Sequence, residues 1–599
     1  RERAPAATSR PGTRTFSPGR TTLRRAACLR RAVAKQRQPG CRGRDGRAAI
    51  RRPDSDVLSA EEAKLGEASP AGRRTRLMQR VLSFALRGID AVPIEIECDE
   101  WFPSSGGGAS TDAERRSSRL TIVGLPDASV RESAQRVRAA LGISRMPFPR
   151  GQCTINLAPA ELRKEGPVFD LAIAVALLRM QGVIGEDADG LLDRFLFAGE
   201  LALDGKLRPV RGTTSMAVLA REHGLRGVVV PAENAREAAV VEGIEAYGVS
   251  TLSEAVGFVN GRLPLSAATP PDAKGTAFGP VPDFADVRGQ EGAKRALSIA
   301  AAGGHNVLLI GPAGSGKTMM ARSLPGVLPP LTDAEALEVT RIHSVAGTVP
   351  GGAGLLRQRP FRSPHHSASA AALVGGGSVP RPGEVSLAHR GVLFLDELPE
   401  FPRLALECLR EPLEDGHVTI SRASGTIRFP ARAMLVAAMN PSHQGGFARS
   451  ASERHAQDRY IGRLSGPLLD RIDLHVEVRA VGFQSLRSAR TGASSTELRD
   501  RVAAARDRMT GRQGPPRRNA DLGGGELDRH CPLGTGAQGL LESAMRDLGL
   551  SARAYDRIRR TARTIADLEG VDEVLEQHIA EAIHYRALDR LRAGAGAGT

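Results

Sequence analysis

The stretch HNVLLIGPAGSGKTMMARSL at residues 305–324 decides the fold. Four apolar residues, Val307 to Ile310, predict a short buried strand, and a helix is predicted to begin near Lys317. Between them, Gly311, Pro312, Ala313, Gly314, Ser315, Gly316, Lys317 and Thr318 satisfy the pattern GxxxxGK[ST] in the strand-to-helix setting that it requires. The glycines let backbone N–H groups converge on phosphate oxygens, and the helix N-terminus adds a favourable dipole. Lys317, one of only seven lysines, is expected to reach the terminal phosphates, and the Thr318 hydroxyl to ligate Mg²⁺. A glycine-rich turn that fits the pattern by accident is the bland alternative, and the flanking strand and helix weigh against it. ATP and Mg²⁺ are therefore the expected cofactors.

A phosphate loop needs a partner that holds the metal and prepares water. RGVLFLDELPEF at 390–401 supplies one: Val392 to Leu395 predict a buried parallel strand ending in Asp396 and Glu397, at the carboxyl edge where ligands bind in such sheets. Asp396 is expected to hold Mg²⁺ through water, and Glu397 to act as general base. An apolar run followed by Asp-Glu is common by itself and gains weight from its place about 80 residues after the loop. A third strand, AMLVAAMNP at 433–441, ends in Asn440, whose amide can orient the same water. Capping the turn before Pro441 is the plainer role for that asparagine.

Around these motifs the 599-residue chain carries 83 Lys+Arg against 67 Asp+Glu, a net charge of +16, with 41% hydrophobic residues. That length and apolar content exclude wholesale disorder. The charge is uneven. Residues 1–77 hold 20 basic and 7 acidic residues, a net of +13, leaving only +3 for 78–599. This Arg-rich leader contains no methionine, and Met78 opens the first patterned segment. Upstream reading frame carried into the translation is the favoured reading, with a transit peptide or a nucleic-acid-binding arm as alternatives, and disorder is expected. Arginine outnumbers lysine 76 to 7, so an isolated arginine signals little. Six scattered cysteines without a CxxC pair argue against a disulfide framework or a four-cysteine zinc site and fit a reducing cytoplasm. No apolar run reaches the ~18 residues of a membrane span.

The body divides into three segments. Residues 78–262 alternate β-rich runs (94–97, 120–125, 153–158, 227–231) with helical ones (129–142, 169–182), predicting an α/β domain. A polar Gly/Ser loop is expected at 101–118, and a Pro/Gly/Ala linker over 263–283. A second α/β unit spans 284–478, and 495–595 is helical throughout.

Several stretches together resemble the ComM/YifB family of magnesium-chelatase-like AAA+ ATPases: TIVGLPDASVRESAQRVRAAL, FRSPHHSASAAALVGGG, PRPGEVSLAHRGVLFLDELPEF, REPLEDGHVTISRASGTIRFPARAMLVAAMNP, GRLSGPLLDRIDLHVEV and SARAYDRIRRTARTIADLEG. The resemblance covers essentially all of 78–595. It implies a Lon-like α/β N-terminal domain, a P-loop AAA+ core of the helix-2-insert clade and an all-α C-terminal lid. It also implies that Arg471 is an arginine finger reaching a neighbouring subunit's ATP and that Arg553 is the second sensor on the lid. A finger acting in trans implies a homo-oligomeric ring, expected to be a hexamer.

REPLEDGHVTISRASGTIRFPAR reads as a hairpin about Ala423-Ser424-Gly425, with Arg422 and Arg428 flanking its tip. They are placed to touch a phosphate backbone, and equally read as ordinary solubilising charges. His365 and His366 lack a partner at zinc spacing and are taken as part of the insert, without metal. The chain departs from the family at two places. No cysteine lies between 409 and 530, where many relatives carry a cysteine-rich run after the Asn-Pro pair. In active Lon enzymes a serine follows Gly-Pro and a lysine lies downstream. Here Val168 follows Gly166-Pro167 and Thr214 stands at the lysine's place, with Lys206 eight positions earlier, so peptidase chemistry is not expected. The leading expectation is a ring ATPase that acts on DNA, as helicase or in branch migration. Its rivals are a chelatase-type ATPase, for which no DxSxS motif occurs in the chain, and a protein-remodelling regulator.

Overall fold

A computed structural model of the chain describes residues 80–101, 119–270, 278–350, 354–377, 379–422, 425–442, 451–482, 492–515 and 517–586. The leader and the Gly/Ser loop beyond Trp101 lie outside the described residues.

The alternating pattern of the first segment builds a seven-stranded mixed sheet. Its order is Leu120–Val123, Gln152–Ala158, Asp90–Trp101, Arg80–Arg87, Phe195–Phe197, Gly227–Pro231 and Glu245–Val249. Arg80–Arg87 and Asp90–Trp101 form an antiparallel hairpin, and the last three strands continue in parallel from Arg80–Arg87. Helices Ala128–Ile143 and Asp170–Met180 cover it, the second buried along its whole length, with an apolar sequence except for Asp170 and Arg179, which pair with Arg136 and Asp189. The predicted runs at 94–97, 153–158 and 227–231 fall on these strands, and the run at 120–125 overlaps strand Leu120–Val123, which ends two residues earlier.

The second unit is a five-stranded parallel sheet ordered Phe361–Arg362, Val392–Leu395, Met434–Met439, Val307–Ile310, Leu474–Glu477. Its three central strands are short runs buried on both faces, as parallel sheets require, and the edge strands are less covered. Side chains alternate between two cores. Val307, Leu309, Val392, Phe394, Val436 and Ala438 face one of them, and Leu308, Ile310, Leu393, Leu395, Leu435 and Ala437 the other.

The first of those cores is shared with the C-terminal helices Ser495–Gln513, Ala552–Glu569 and Glu576–His584 through Val502, Ile558, Ile565 and Ile579. The C-terminal helices reach that core by packing on helix Glu291–Gly303, which lies against strand Leu474–Glu477, and they also form a layer of their own. Ser494 with Glu497 and Ser551 cap the first two of these helices. Among the described residues no helix is long and apolar enough to cross a membrane.

Helix Asp333–Ala346 joins the two sheets. Arg341 donates to the Asp90 carboxylate at 2.6 Å and to the Ile89 carbonyl at 3.1 Å, and the Gly212 amide donates to the Ser344 carbonyl. On the same helix, His343 is fully buried. Its Nε2 donates to the Leu387 carbonyl at 3.1 Å and its Nδ1 accepts from Thr348 at 2.8 Å. Burial pushes its pKa from 6.5 down to about 4, against the opposing pull of that carbonyl. The fold therefore favours the neutral ring. Its contribution to stability is present above pH 6.5 and is lost as pH falls from there to about 4. The melting temperature is expected to drop across that window, and less steeply in His343→Gln, which keeps a donor but cannot titrate.

Candidate functional site

The parallel register brings the sequence motifs together. Ile310 pairs with Met439, and Leu395 with Ala437, so the phosphate loop, Asp396 and Asn440 leave the same carboxyl edge of the sheet. At Gly311 a β-carbon would lie 2.1 Å from the Val478 carbonyl oxygen, so the loop can start there only as glycine. Gly314 and Gly316 have φ of +74° and +92°, and nothing lies within 4 Å of where their β-carbons would be. The loop is an open cradle of backbone leading into helix Lys317–Ser323.

Lys317 is buried, and its ammonium donates to the carbonyls of Gly311 at 2.7 Å and Pro312 at 2.8 Å and to Asn440 Oδ1 at 3.3 Å. Burial lowers its pKa, while Asp396 acts in the opposite sense. The Thr318 hydroxyl donates to Asp396 Oδ2 at 2.9 Å, and the other carboxylate oxygen accepts the Glu397 amide at 3.0 Å. Thr318 and Asp396 thus present hard oxygen donors side by side, the donor set that suits Mg²⁺. The Ser315 hydroxyl is buried without a partner, a polar atom left over inside the cradle. Together these features fit a nucleotide phosphate and its metal.

Glu397 follows on a left-handed backbone, φ 53° and ψ 46°, which is rare for a residue other than glycine. Its carboxylate is 54% exposed, and Oε2 lies 2.9 Å from His366 Nδ1.

Arg471 and Arg553 lie elsewhere. Both line a cavity of about 640 Å³ with Asp470, Arg557 and Arg560, and no residue of the phosphate loop lines it, nor do Asp396 or Glu397. Arg471 donates to the Pro467 carbonyl at 2.8 Å and pairs with Glu414, while exposed Arg553 stands 3.8 Å from Asp470. Asp473 also lines the cavity. Burial opposes ionisation of Asp473, but the Arg557 guanidinium, His305 and the Asn306 amide outweigh it and hold its carboxyl well below the usual range.

The hairpin is present as His417–Arg422 paired with Gly425–Pro430, but its register corrects the expected arrangement of arginines. Arg422 faces Gly425 at the tip. Arg428 faces Thr419, three pairs back, on the other side of the ribbon. Both are exposed, and only Arg422 flanks the turn. Thr214 is buried and donates to Glu237 at 3.1 Å, while Lys206 is exposed beside Asp204.

Two residues escaped the sequence reading. Gln290, itself left-handed, donates from Nε2 to the Ser315 carbonyl at 3.1 Å and to the Arg479 carbonyl at 2.6 Å, tying the loop to the end of the sheet. No motif marks it. His366 has no partner at zinc spacing in the sequence, and the partner it has in the fold is a carboxylate 31 residues away.

The chain matches three family descriptions: "Magnesium chelatase, subunit ChlI" over residues 283–486, "Subunit ChlI of Mg-chelatase" over 110–234, and "Magnesium chelatase, subunit ChlI C-terminal" over 492–586. It is 46% identical over 478 residues to competence protein ComM of Haemophilus influenzae, covering 79% of this chain and 92% of that protein. With YifB of Salmonella typhimurium it shares 47% over 481 residues, again 79% and 92%. The magnesium-chelatase 38 kDa subunit of Rhodobacter capsulatus is 25% identical over 347 residues, 54% of this chain and 91% of that subunit.

Proposed function

The chain belongs to the ComM/YifB family of magnesium-chelatase-like AAA+ proteins, and on that footing we propose that it is a Mg·ATP-hydrolysing ring motor acting on DNA. The observation that carries the ATPase reading is the 2.9 Å contact between Thr318 and Asp396, which joins the phosphate loop to the acidic strand end.

In this reading Gly311 to Lys317 bind the phosphates by backbone amides and one ammonium. Glu397 takes a proton from the attacking water, and Asn440, already within reach of Lys317, orients that water. Mg²⁺ held by Thr318 and Asp396 neutralises charge on the phosphate oxygens. Arg471 and Arg553 act on the nucleotide of a neighbouring copy, because the cavity that they share contains none of their own chain's phosphate loop. That arrangement calls for a closed homo-oligomer, and a hexamer is the reading we adopt.

We further read residues 78–262 as a Lon-like module without peptidase chemistry, since valine cannot attack a carbonyl and Thr214 is spent on Glu237. Residues 284–478 are read as a helix-2-insert AAA+ core, 495–595 as its lid, and the cytoplasm as the place of action. DNA is taken from the name of the Haemophilus relative, a competence protein, and from exposed Arg422 at the hairpin tip. The net charge of +3 over 78–599 does not demand nucleic acid, but a basic pore is compatible with a near-neutral body.

ATP turnover by the purified chain is expected to rise with single-stranded or branched DNA, and the stimulation to fall steeply as salt is raised. Turnover unaffected by DNA, with no DNA binding at low salt, would leave the ATPase and remove the DNA. A chelatase-type or protein-remodelling ATPase would then stand in its place.

A further inference from the structure

Asn306 immediately precedes Val307–Ile310, the strand that delivers the phosphate loop, and it also lines the cavity that holds Arg471 and Arg553. All four of its hydrogen-bonding groups are engaged. Its backbone N–H donates to Asp473 Oδ2 at 3.0 Å, and its carbonyl accepts the Asp473 and Leu474 amides at 3.0 and 3.1 Å. The side-chain Oδ1 accepts the Leu435 amide at 2.9 Å, and Nδ2 donates to the Arg471 carbonyl at 3.0 Å. An N–H on one side and a carbonyl on the other admit a single orientation of the side-chain amide.

These bonds reach both cavity arginines. Arg471 stands on the turn between helix Gly466–Leu469 and strand Leu474–Glu477, where its own amide makes a local bond to the Leu468 carbonyl. Asn306 ties that turn to the sheet. Asp473, which accepts the Asn306 amide, pairs with Arg557, and Arg557 lies one turn beyond Arg553 on helix Ala552–Glu569. The strand of four residues between Asn306 and the phosphate loop spans about 13 Å. Asn306 therefore marks the end of the sheet opposite the chain's own nucleotide.

We propose that Asn306 is the positioning residue for Arg471, fixing the main chain from which this guanidinium reaches a neighbouring copy's nucleotide. This rests on Arg471 acting in trans. A residue that merely braced the sheet would instead serve its own chain's site, through Leu435 on the strand that leads to Asn440.

Mixing full-length variant chains and measuring ATP turnover separates the two roles. Asn306→Ala alone is expected to lower kcat by about 10², the effect of a misplacement of about 1 Å, and to leave nucleotide binding within about twofold. Mixed with Lys317→Ala chains, it regains turnover, because an intact finger then meets an intact loop. Mixed with Arg471→Ala chains it does not, since neither partner supplies a finger. Asn306→Asp keeps the acceptor for Leu435 and loses only the donor to Arg471, and is expected to behave as the alanine variant does.

Parent turnover in Asn306→Ala overturns the proposal. So does recovery with Arg471→Ala, recovery with neither partner, or parent turnover in Asn306→Asp. If the alanine variant does not fold, the aspartate variant and its two mixtures decide. The mixture of Lys317→Ala with Arg471→Ala reports on the finger itself: without recovery there, that reading falls and this one with it, whereas recovery there and none for Asn306→Ala with Lys317→Ala overturns this one only.

Discussion

Arg471→Ala is expected to lower ATP turnover by a factor on the order of 10³ or more, while nucleotide still binds the altered chain's own phosphate loop. Charge that spreads over the transferred phosphoryl oxygens is stabilised by an arginine only if its guanidinium reaches them. Arg471 opens instead onto a cavity shared with Arg553, Arg557 and Arg560, without a phosphate-loop residue in its walls. The loss should therefore be repaired in trans. Mixing Arg471→Ala chains with Lys317→Ala chains, each inactive alone, is expected to regain turnover, because some interfaces then pair an intact finger with an intact loop. Normal turnover in the single variant, or no recovery in the mixture, removes Arg471 from this role.

Glu397→Gln is expected to slow hydrolysis by about 10²–10⁴-fold and to leave ATP bound. The amide is close in shape to the carboxylate and keeps the 54%-exposed position at the strand end, but it cannot accept the proton. Lys317 and Thr318, which make the phosphate and metal contacts in this reading, are unaffected. ATP retained on the protein under conditions in which the parent chain turns it over would be the measured sign. Turnover at the parent rate would mean that water is activated by another group.

The motifs of the candidate site were legible because each is local. Val307–Ile310 and Val392–Leu395 are strands with the boundaries that their apolar runs predict, and Lys317 opens its helix as the pattern requires. A chain that must bury four consecutive apolar residues and then expose glycines or acids has few other choices. The segment 495–595, which reads as helical throughout, carries helices Ser495–Gln513, Ala552–Glu569 and Glu576–His584.

What escaped depends on pairing that a run of adjacent residues does not record. In the sequence both arginines flank the hairpin tip, and only the cross-strand register sets Arg422 at the turn and Arg428 on the opposite side, three pairs back. Gln290 carries no signal because its two acceptors are backbone carbonyls, one of them 189 residues away.

By itself the sequence determined that this protein has a phosphate loop, an acidic strand end and a helical C-terminal segment, since those are written in adjacent residues whose local physics leaves little freedom. Tertiary structure alone decided that Thr318 meets Asp396, that His366 meets Glu397, and that Arg471 and Arg553 share a cavity apart from their own loop. Those pairings follow from the order of strands in a sheet, and strand order is set by how whole faces are buried, which no short stretch of sequence records.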